Sequence, residues 1–295
     1  GLAGFYSIAS GALALARTPT ELAVLSQLAA SREPGQVELL TAAQARGQLR
    51  VGADRTIVGG ALLRDDLRVD PREAVSSLVT WLATQPGVTI WWQTSFFGAA
   101  DGVAATSRGE IHAARTIVCV GHDLDYLFPE LAAARGVERC ALQMMRVAPP
   151  AGLVLRPAVL TGTSMLRYPG FAETAAAAVL RDELTASRPD LLAIGANVMF
   201  TQRPDGTLLV GDSHRYATTM DPFQAEATSE ILLAEVERLL GVRKLRVLER
   251  WQGVYASSPR QPFVLEEVAP GVTVAIVTSG VGMTISFGLA TRTFS

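Results

Sequence analysis

A chain of 295 residues with 26 Lys and Arg against 28 Asp and Glu carries almost no net charge and has the length for one or two domains; without a basic block, nucleic-acid binding is disfavoured. Its two cysteines, Cys119 and Cys140, lie far apart and make neither a C-x-x-C pair nor a disulfide framework, which fits a reducing cytoplasm. The longest uncharged run, 268–291, holds four glycines and several hydroxyls, so it reads as a buried segment and not a membrane span. No signal peptide is recognisable, Gly1-Leu2-Ala3-Gly4 has no initiator Met, and Arg292-Thr293-Phe294-Ser295 stops inside a helical pattern; the expectation is a fragment.

Gly11 to Ala16 reads as a strand, and Thr18-Pro19-Thr20-Glu21 opens an amphipathic helix to about Ala30. A short helix is expected over 39–48, opened by Thr41, then a strand over 56–63 with paired Gly59 and Gly60. Asp70-Pro71-Arg72-Glu73 caps a helix to about Thr84 with Ala74, Leu78 and Leu82 on one face. Val88 to Trp92 reads as a strand, Asp101-Gly102 as a hairpin turn, Ser107-Arg108-Gly109 as a second turn, and Ala114 to Val120 as a buried strand ending at Gly121. Strands are expected over 139–147, 158–168, 194–202, 207–212 and 245–255, with helices over 175–187 and 222–240. The fold class is α/β (α+β): residues 67–136 and 250–295 carry βα units, interleaved with 1–66 and 137–249, an antiparallel sheet with covering helices.

The three histidines, His112, His122 and His214, lack ligand spacing, so no metal is expected. Gly211-Asp212-Ser213-His214-Arg215 resembles a nucleophile elbow but lacks its closing glycine. The end of the chain is more informative. An apolar run, Val272 to Val277, leads through Thr278-Ser279-Gly280-Val281-Gly282-Met283-Thr284 into an apolar helical pattern, a strand–glycine turn–helix cradle suited to an anion or cofactor. Ile117-Val118-Cys119-Val120-Gly121 is a second apolar strand ending in glycine, and Trp251-Gln252-Gly253-Val254-Tyr255 sets two aromatics near a third glycine. A G-x-G-x-x-G fingerprint is absent from the 295 residues. Arg167-Tyr168 and His214-Arg215-Tyr216 each place a cation beside a phenol at an expected strand end, and Arg grips carboxylates and phosphonates through its planar fork of donors.

These segments, with Asp66-Leu67-Arg68-Val69-Asp70-Pro71, resemble the D-amino-acid oxidase and glycine/sarcosine oxidase superfamily of FAD enzymes. Arg139-Cys140-Ala141-Leu142-Gln143-Met144, Leu166-Arg167-Tyr168-Pro169-Gly170 and Leu209-Val210-Gly211-Asp212-Ser213-His214 resemble its branch associated with phosphonate catabolism. The resemblance implies FAD as cofactor, with 67–136 and 250–295 as the FAD-binding domain and the rest as the substrate domain. It implies cofactor contacts at Phe96, Val120, Gly121, Trp251, Gly253, Ser279, Gly280, Gly282, Met283 and Thr284, and catalytic roles for Arg167, Tyr168, His214 and Tyr255. Amino-acid-oxidising relatives often carry G-x-R-P where this chain has Gly253-Val254-Tyr255-Ala256, so the usual carboxylate anchor is replaced by Tyr255. The implied activity is oxidation of a small anionic amine, an aminoalkylphosphonate or its N-methyl derivative, by hydride transfer to flavin and imine hydrolysis. A D-amino-acid or sarcosine-type oxidase is one alternative. An inactive fragment lacking the family's N-terminal phosphate loop is another.

Overall fold

The expected first strand forms over Ala12–Ala16 and is buried on both faces in the computed structural model, which describes residues 3–49 and 52–294. Gly1, Leu2 and Ser295, part of the two ends singled out above, lie outside the described residues. Successive strand side chains point to opposite faces. Leu13 and Leu15 therefore join one core with Met145, Phe200 and Val236, while Ala12, Ala14 and Ala16 join another with Val24, Leu25 and Leu180.

Two units make up the chain. The first comprises Gly1–Val88, Leu142–His214 and Phe223–Gln252; the second comprises Thr89–Ala141, Arg215–Pro222 and Gly253–Ser295. In the first, the second half of Glu138–Val147 begins a sheet that continues Leu208–Gly211, Met199–Gln202, Ala158–Leu160, Ala12–Ala16, Gly59–Leu63 and Val37–Thr41. Its neighbours are antiparallel apart from Ala158–Leu160, which runs parallel to Ala12–Ala16. Helices Pro19–Ala30 and Ala175–Ser187 cover one face, and Ala42–Leu49 and Glu226–Leu240 the other. Thr18 and Glu21 close a reciprocal capping box at the start of Pro19–Ala30. The paired glycines are explained by packing: a Cβ on Gly60 would stand 2.8 Å from the Ala14 carbonyl and 3.3 Å from the Ala45 methyl.

The second unit has its own core around Val118, Leu124, Val264, Val274 and Ile276. Phe263–Ala269 pairs antiparallel with Val272–Val277, which runs parallel to Thr116–Val118. Phe96–Ala100, Val103–Thr106 and Gly109–His112 form the meander expected from the Asp101-Gly102 and Ser107-Arg108-Gly109 turns. Helix Gly282–Phe294 follows the last strand.

Several expectations are corrected. Leu39 and Leu40 belong to strand Val37–Thr41, and Thr41 then opens helix Ala42–Leu49, exchanging hydrogen bonds with Gln44. Helix Pro71–Leu82 is capped by Asp70 as expected, but Ala74, Leu78 and Leu82 are only half-buried. That helix belongs to the first unit, where Asp70 pairs with Arg203 at 2.8 Å and Arg72 with Glu249 at 2.6 Å. Val88 to Trp92 is not a strand: among the described residues nothing pairs with it, and Val88, Trp91 and Trp92 are exposed. The expected strand 158–168 stops at Leu160 and gives way to a single helical turn, Gly162–Met165, so Arg167 and Tyr168 do not end a strand. No helix among the described residues is long and apolar enough to cross a membrane.

Candidate active site

The expected site residues fall in both units, and each set has its own construction. In the second unit, the parallel pair Thr116–Val118 and Val272–Val277 brings two strand ends to one edge. Ligands of α/β sheets bind beyond the carboxyl ends of such strands. The first strand leads through Val120 to Gly121, at φ +59°, which opens a short 3₁₀ turn. The second leads through Ser279 to Gly280, at φ +73°. A Cβ there would sit 3.1 Å from the Tyr255 ring, so Tyr255 packs directly on the turn, two positions beyond Gly253 in strand Val247–Ser257.

The turn is held from behind. Thr278 donates its hydroxyl to the Gln261 carbonyl at 2.6 Å, and Ser279 donates to that of Pro262 at 2.9 Å. The amides of Thr284 and Ile285 bond back to the Val281 carbonyl. Those of Gly282 and Met283 precede the first intrahelical bonds and form the electropositive start of the helix. A Cβ on Gly282 would meet only the Val277 side chain, at 3.9 Å, and the Met283 side chain is exposed. Phe96 is half-buried against the core beside Val120. An edge with left-handed glycines, and a glycine at the helix start with little packed against it, fits a flat, anionic cofactor that needs close backbone approach. Trp251 lies in the first unit, with the Arg72 guanidinium 4.5 Å from its ring centroid.

In the first unit, the loop before Pro169 and the end of Leu208–Gly211 bring Arg167, Tyr168 and His214 into one cluster, together with two residues the sequence reading passed over, Asn197 and Asp212. Asn197 and Asp212 exchange both backbone hydrogen bonds, at 2.8 and 2.9 Å. The Asn197 side-chain amide donates to the Tyr168 hydroxyl at 3.3 Å. His214 donates its backbone N–H to the Ile194 carbonyl at 3.0 Å, and its Nδ1 lies 2.9 Å from the Gly195 carbonyl. That contact makes Nδ1 the protonated nitrogen and leaves Nε2 as acceptor, 3.8 Å from Asp212 Oδ2. Ser213 accepts from the Gln143 amide at 3.3 Å. Arg215 is exposed, whereas His214 is buried.

Burial dominates the electrostatics. It pushes the Asp212 carboxyl up to about 7, with Arg167 and Asn197 working against it. It pushes the His214 imidazole down to about 4, and the Arg167 charge pushes the same way. Burial also raises the Tyr168 phenol. The resting cluster thus holds a neutral imidazole beside a carboxyl that titrates near neutrality. Asp212 Oδ1 and Asn197 Oδ1 are buried with no protein hydrogen-bond partner. The signal for Asp212 was in the sequence: an acid directly after the apolar strand residues Leu208-Leu209-Val210-Gly211 is placed to be buried.

The family described as DAO, FAD dependent oxidoreductase, matches residues 5–293. Among solved structures, glycine oxidase from Bacillus cereus superposes with a TM-score of 0.76 at 14% identity, covering 98% of this chain and 73% of that one. L-proline dehydrogenase from P. horikoshii gives 0.73 at 15% identity, over 96% and 71% of the two chains. Iminodiacetate oxidase from Chelativorans gives 0.70 at 18%, over 97% and 71%. These likenesses are of fold. No curated protein matches the sequence.

Proposed function

The chain belongs to the DAO family of FAD-dependent oxidoreductases, and from that premise we propose that it oxidises a small amine bearing an anionic head group, an aminoalkylphosphonate or its N-methyl derivative. The observation that carries this reading is the placing of a cation, Arg167, within electrostatic reach of a buried carboxyl, Asp212. One suits the substrate's anion and the other its ammonium. Tyr255, packed on Gly280, stands where amino-acid-oxidising relatives often carry a carboxylate-binding arginine, which favours a phosphonate. On this reading the first unit carries the substrate-binding residues and the second most of the FAD-binding ones.

Val120, Gly121, Ser279, Gly280, Gly282, Met283 and Thr284 would hold FAD, with Phe96 and Gly253 contributing apolar contact and close approach. When bound, FAD supplies a two-electron acceptor. The protein orients the amine and excludes water. The helix start at Gly282 offers N–H groups to negative charge on the cofactor. Arg167, beside Tyr168 and His214, takes the substrate anion. The oxidised product, an imine, would be hydrolysed by water to an aldehyde and ammonia, or methylamine from the N-methyl derivative.

Gly282→Val separates cofactor binding from folding. Because the new side chain meets little of the protein itself, the thermal midpoint should hold while flavin absorbance per mole of purified protein falls. A fall in midpoint with unchanged flavin content would make the turn purely structural.

The substrate class is tested by mixing the FAD-loaded protein with 2-aminoethylphosphonate, its N-methyl derivative, sarcosine, glycine and D-alanine and following loss of the oxidised-flavin band. Phosphonates are expected to reduce the flavin fastest. A ranking led by sarcosine or glycine would establish the alternative, which the fold likeness to glycine oxidase and iminodiacetate oxidase keeps open. Arg167→Met should lower kcat/KM for the phosphonates roughly a hundredfold, about 3 kcal/mol for removing one partner of a desolvated charge pair. Arg215→Met, at an exposed side chain, should change little.

A further inference from the structure

We propose that Asp212 takes the proton from the substrate's ammonium group, and that Asn197 holds that nitrogen beside it. The inference rests on the amine-oxidation reading and names the residue that prepares the amine for oxidation.

The argument starts from two acceptors. Asp212 and Asn197 exchange both backbone hydrogen bonds, and residues paired in that way present their side chains on the same face. Asp212 Oδ1 and Asn197 Oδ1 are both buried without a well-aligned hydrogen-bond donor, and the Asn197 amide acts on the Asp212 carboxyl from beside it. A buried acceptor left without a donor is costly. A protonated amine, with up to three N–H donors and a positive charge, answers both oxygens and the carboxylate charge at once. The Asp212 side chain is 13% exposed, through atoms other than the buried Oδ1, whereas that of His214 is 3% exposed. His214 has its Nδ1 turned to the Gly195 carbonyl and presents Nε2 toward Asp212 Oδ2, an acceptor and not a competing cation.

Charged and titratable groups face Asp212 from each element around it. Arg167 and Tyr168 come from the loop before Pro169, and His214 follows the same strand as Asp212. Asp66 acts on Tyr168 and stands further off. Arg167 is the cation that favours the ionised carboxyl, and burial opposes it. The balance leaves a base that is ionised in part near neutral pH, the condition under which a general base works best.

The step balances simply. An ammonium R–CH₂–NH₃⁺ and the Asp212 carboxylate give R–CH₂–NH₂ and the Asp212 carboxylic acid. The N–H bond breaks, its electron pair stays on nitrogen, and an O–H bond forms on the carboxyl. The freed lone pair on nitrogen is what loss of hydride from the adjacent carbon requires, and FAD, when bound, would supply the two-electron acceptor.

The test is the pH profile of kcat/KM for Asp212→Asn in the FAD-loaded protein, using the amine of the panel that the wild type oxidises fastest. The wild type should gain activity as pH rises through about 7. Asp212→Asn should lose roughly a hundredfold at neutral pH, within the range for removing a general base. The loss should shrink to under about tenfold near pH 10, where a free alkylamine becomes abundant in solution. Asp212→Glu should recover part of the neutral-pH activity, which guards against a fold defect in the Asn variant. A loss by the same factor at every pH, or no loss, overturns the proposal while leaving amine oxidation standing. If the wild type oxidises none of the panel amines, the functional reading falls and this inference falls with it.

Discussion

Glu235→Ala is expected to remove about 3–5 kcal/mol of folding stability, the usual cost of leaving a buried charge without its partner. Glu235 lies on helix Glu226–Leu240 with its side chain 2% exposed, and it meets Arg17 at 2.5 Å, Arg188 at 2.7 Å and Arg238 at 2.6 Å. The three arginines do not lose equally. Arg188 keeps a two-pronged pairing with Asp190, and Arg238 is largely exposed. Arg17 is 11% exposed and already has one guanidinium nitrogen, Nη1, buried without a partner. Its charge loses its direct ion pair and keeps only the electrostatic influence of the buried Glu21 carboxyl. Urea unfolding should show the loss, and added salt should change it little, because a buried pair is poorly screened. A change under about 1 kcal/mol would mean that water reaches Arg17 freely and that the cluster behaves as a surface network.

How far such features were legible from sequence depends on whether their cause is local. Helix starts carry their own signals, so Thr18-Pro19-Thr20-Glu21 and Asp70-Pro71 fixed the beginnings of two helices correctly. The Asp101-Gly102 turn is equally self-contained, with both residues at positive φ. The segment 158–168 is different. Its pattern suits one strand, but Thr161 donates its hydroxyl to the Val198 carbonyl and Thr163 accepts from the Val198 amide. Hydroxyls that satisfy a neighbouring segment in this way turn the chain out of the ladder, and only the folded partner reveals it. Val88 to Trp92 shows the converse, because β-type residues make no strand without a neighbouring one.

The site divides along the same line. The glycine turn between Val277 and Gly282 is local and was readable. Arg167 and His214 were both picked out, yet the route that brings them together, a helical turn and not a strand end, was not. Glu235 and Asp212 were assigned no role for a common reason. Each sits in an apolar pattern, one among Leu232, Leu233, Val236 and Leu239 and the other after Val210 and Gly211, and the partners that make burial tolerable come from distant segments.

The Asp212–His214 pair should also give stability a distinctive pH dependence, visible only when one member is removed. In the unfolded chain the carboxyl titrates near its ordinary 3.8 and the imidazole near 6.5; in the folded protein they titrate near 7 and near 4. Between about pH 4 and 6.5 the unfolded pair therefore holds its one proton on the imidazole, and the folded pair holds its one proton on the carboxyl. Folding moves the proton without changing the count, so the two contributions to the slope cancel. His214→Gln leaves the raised carboxyl alone. The folded protein then binds more protons than the unfolded chain, and stability should fall as pH rises from about 4 to about 7. Asp212→Asn leaves the depressed imidazole alone. The unfolded chain then binds more protons, and stability should rise over about pH 4 to 6.5. The drift should amount to about 4 kcal/mol for the carboxyl and about 3 kcal/mol for the imidazole, following from roughly 1.4 kcal/mol per unit of displacement. Urea midpoints collected through this range for wild type and both variants would show a flat line between two lines of opposite slope. Two variants drifting in the same direction would mean that the carboxyl and the imidazole do not exchange a proton on folding, and that Asp212 enters the folded state ionised.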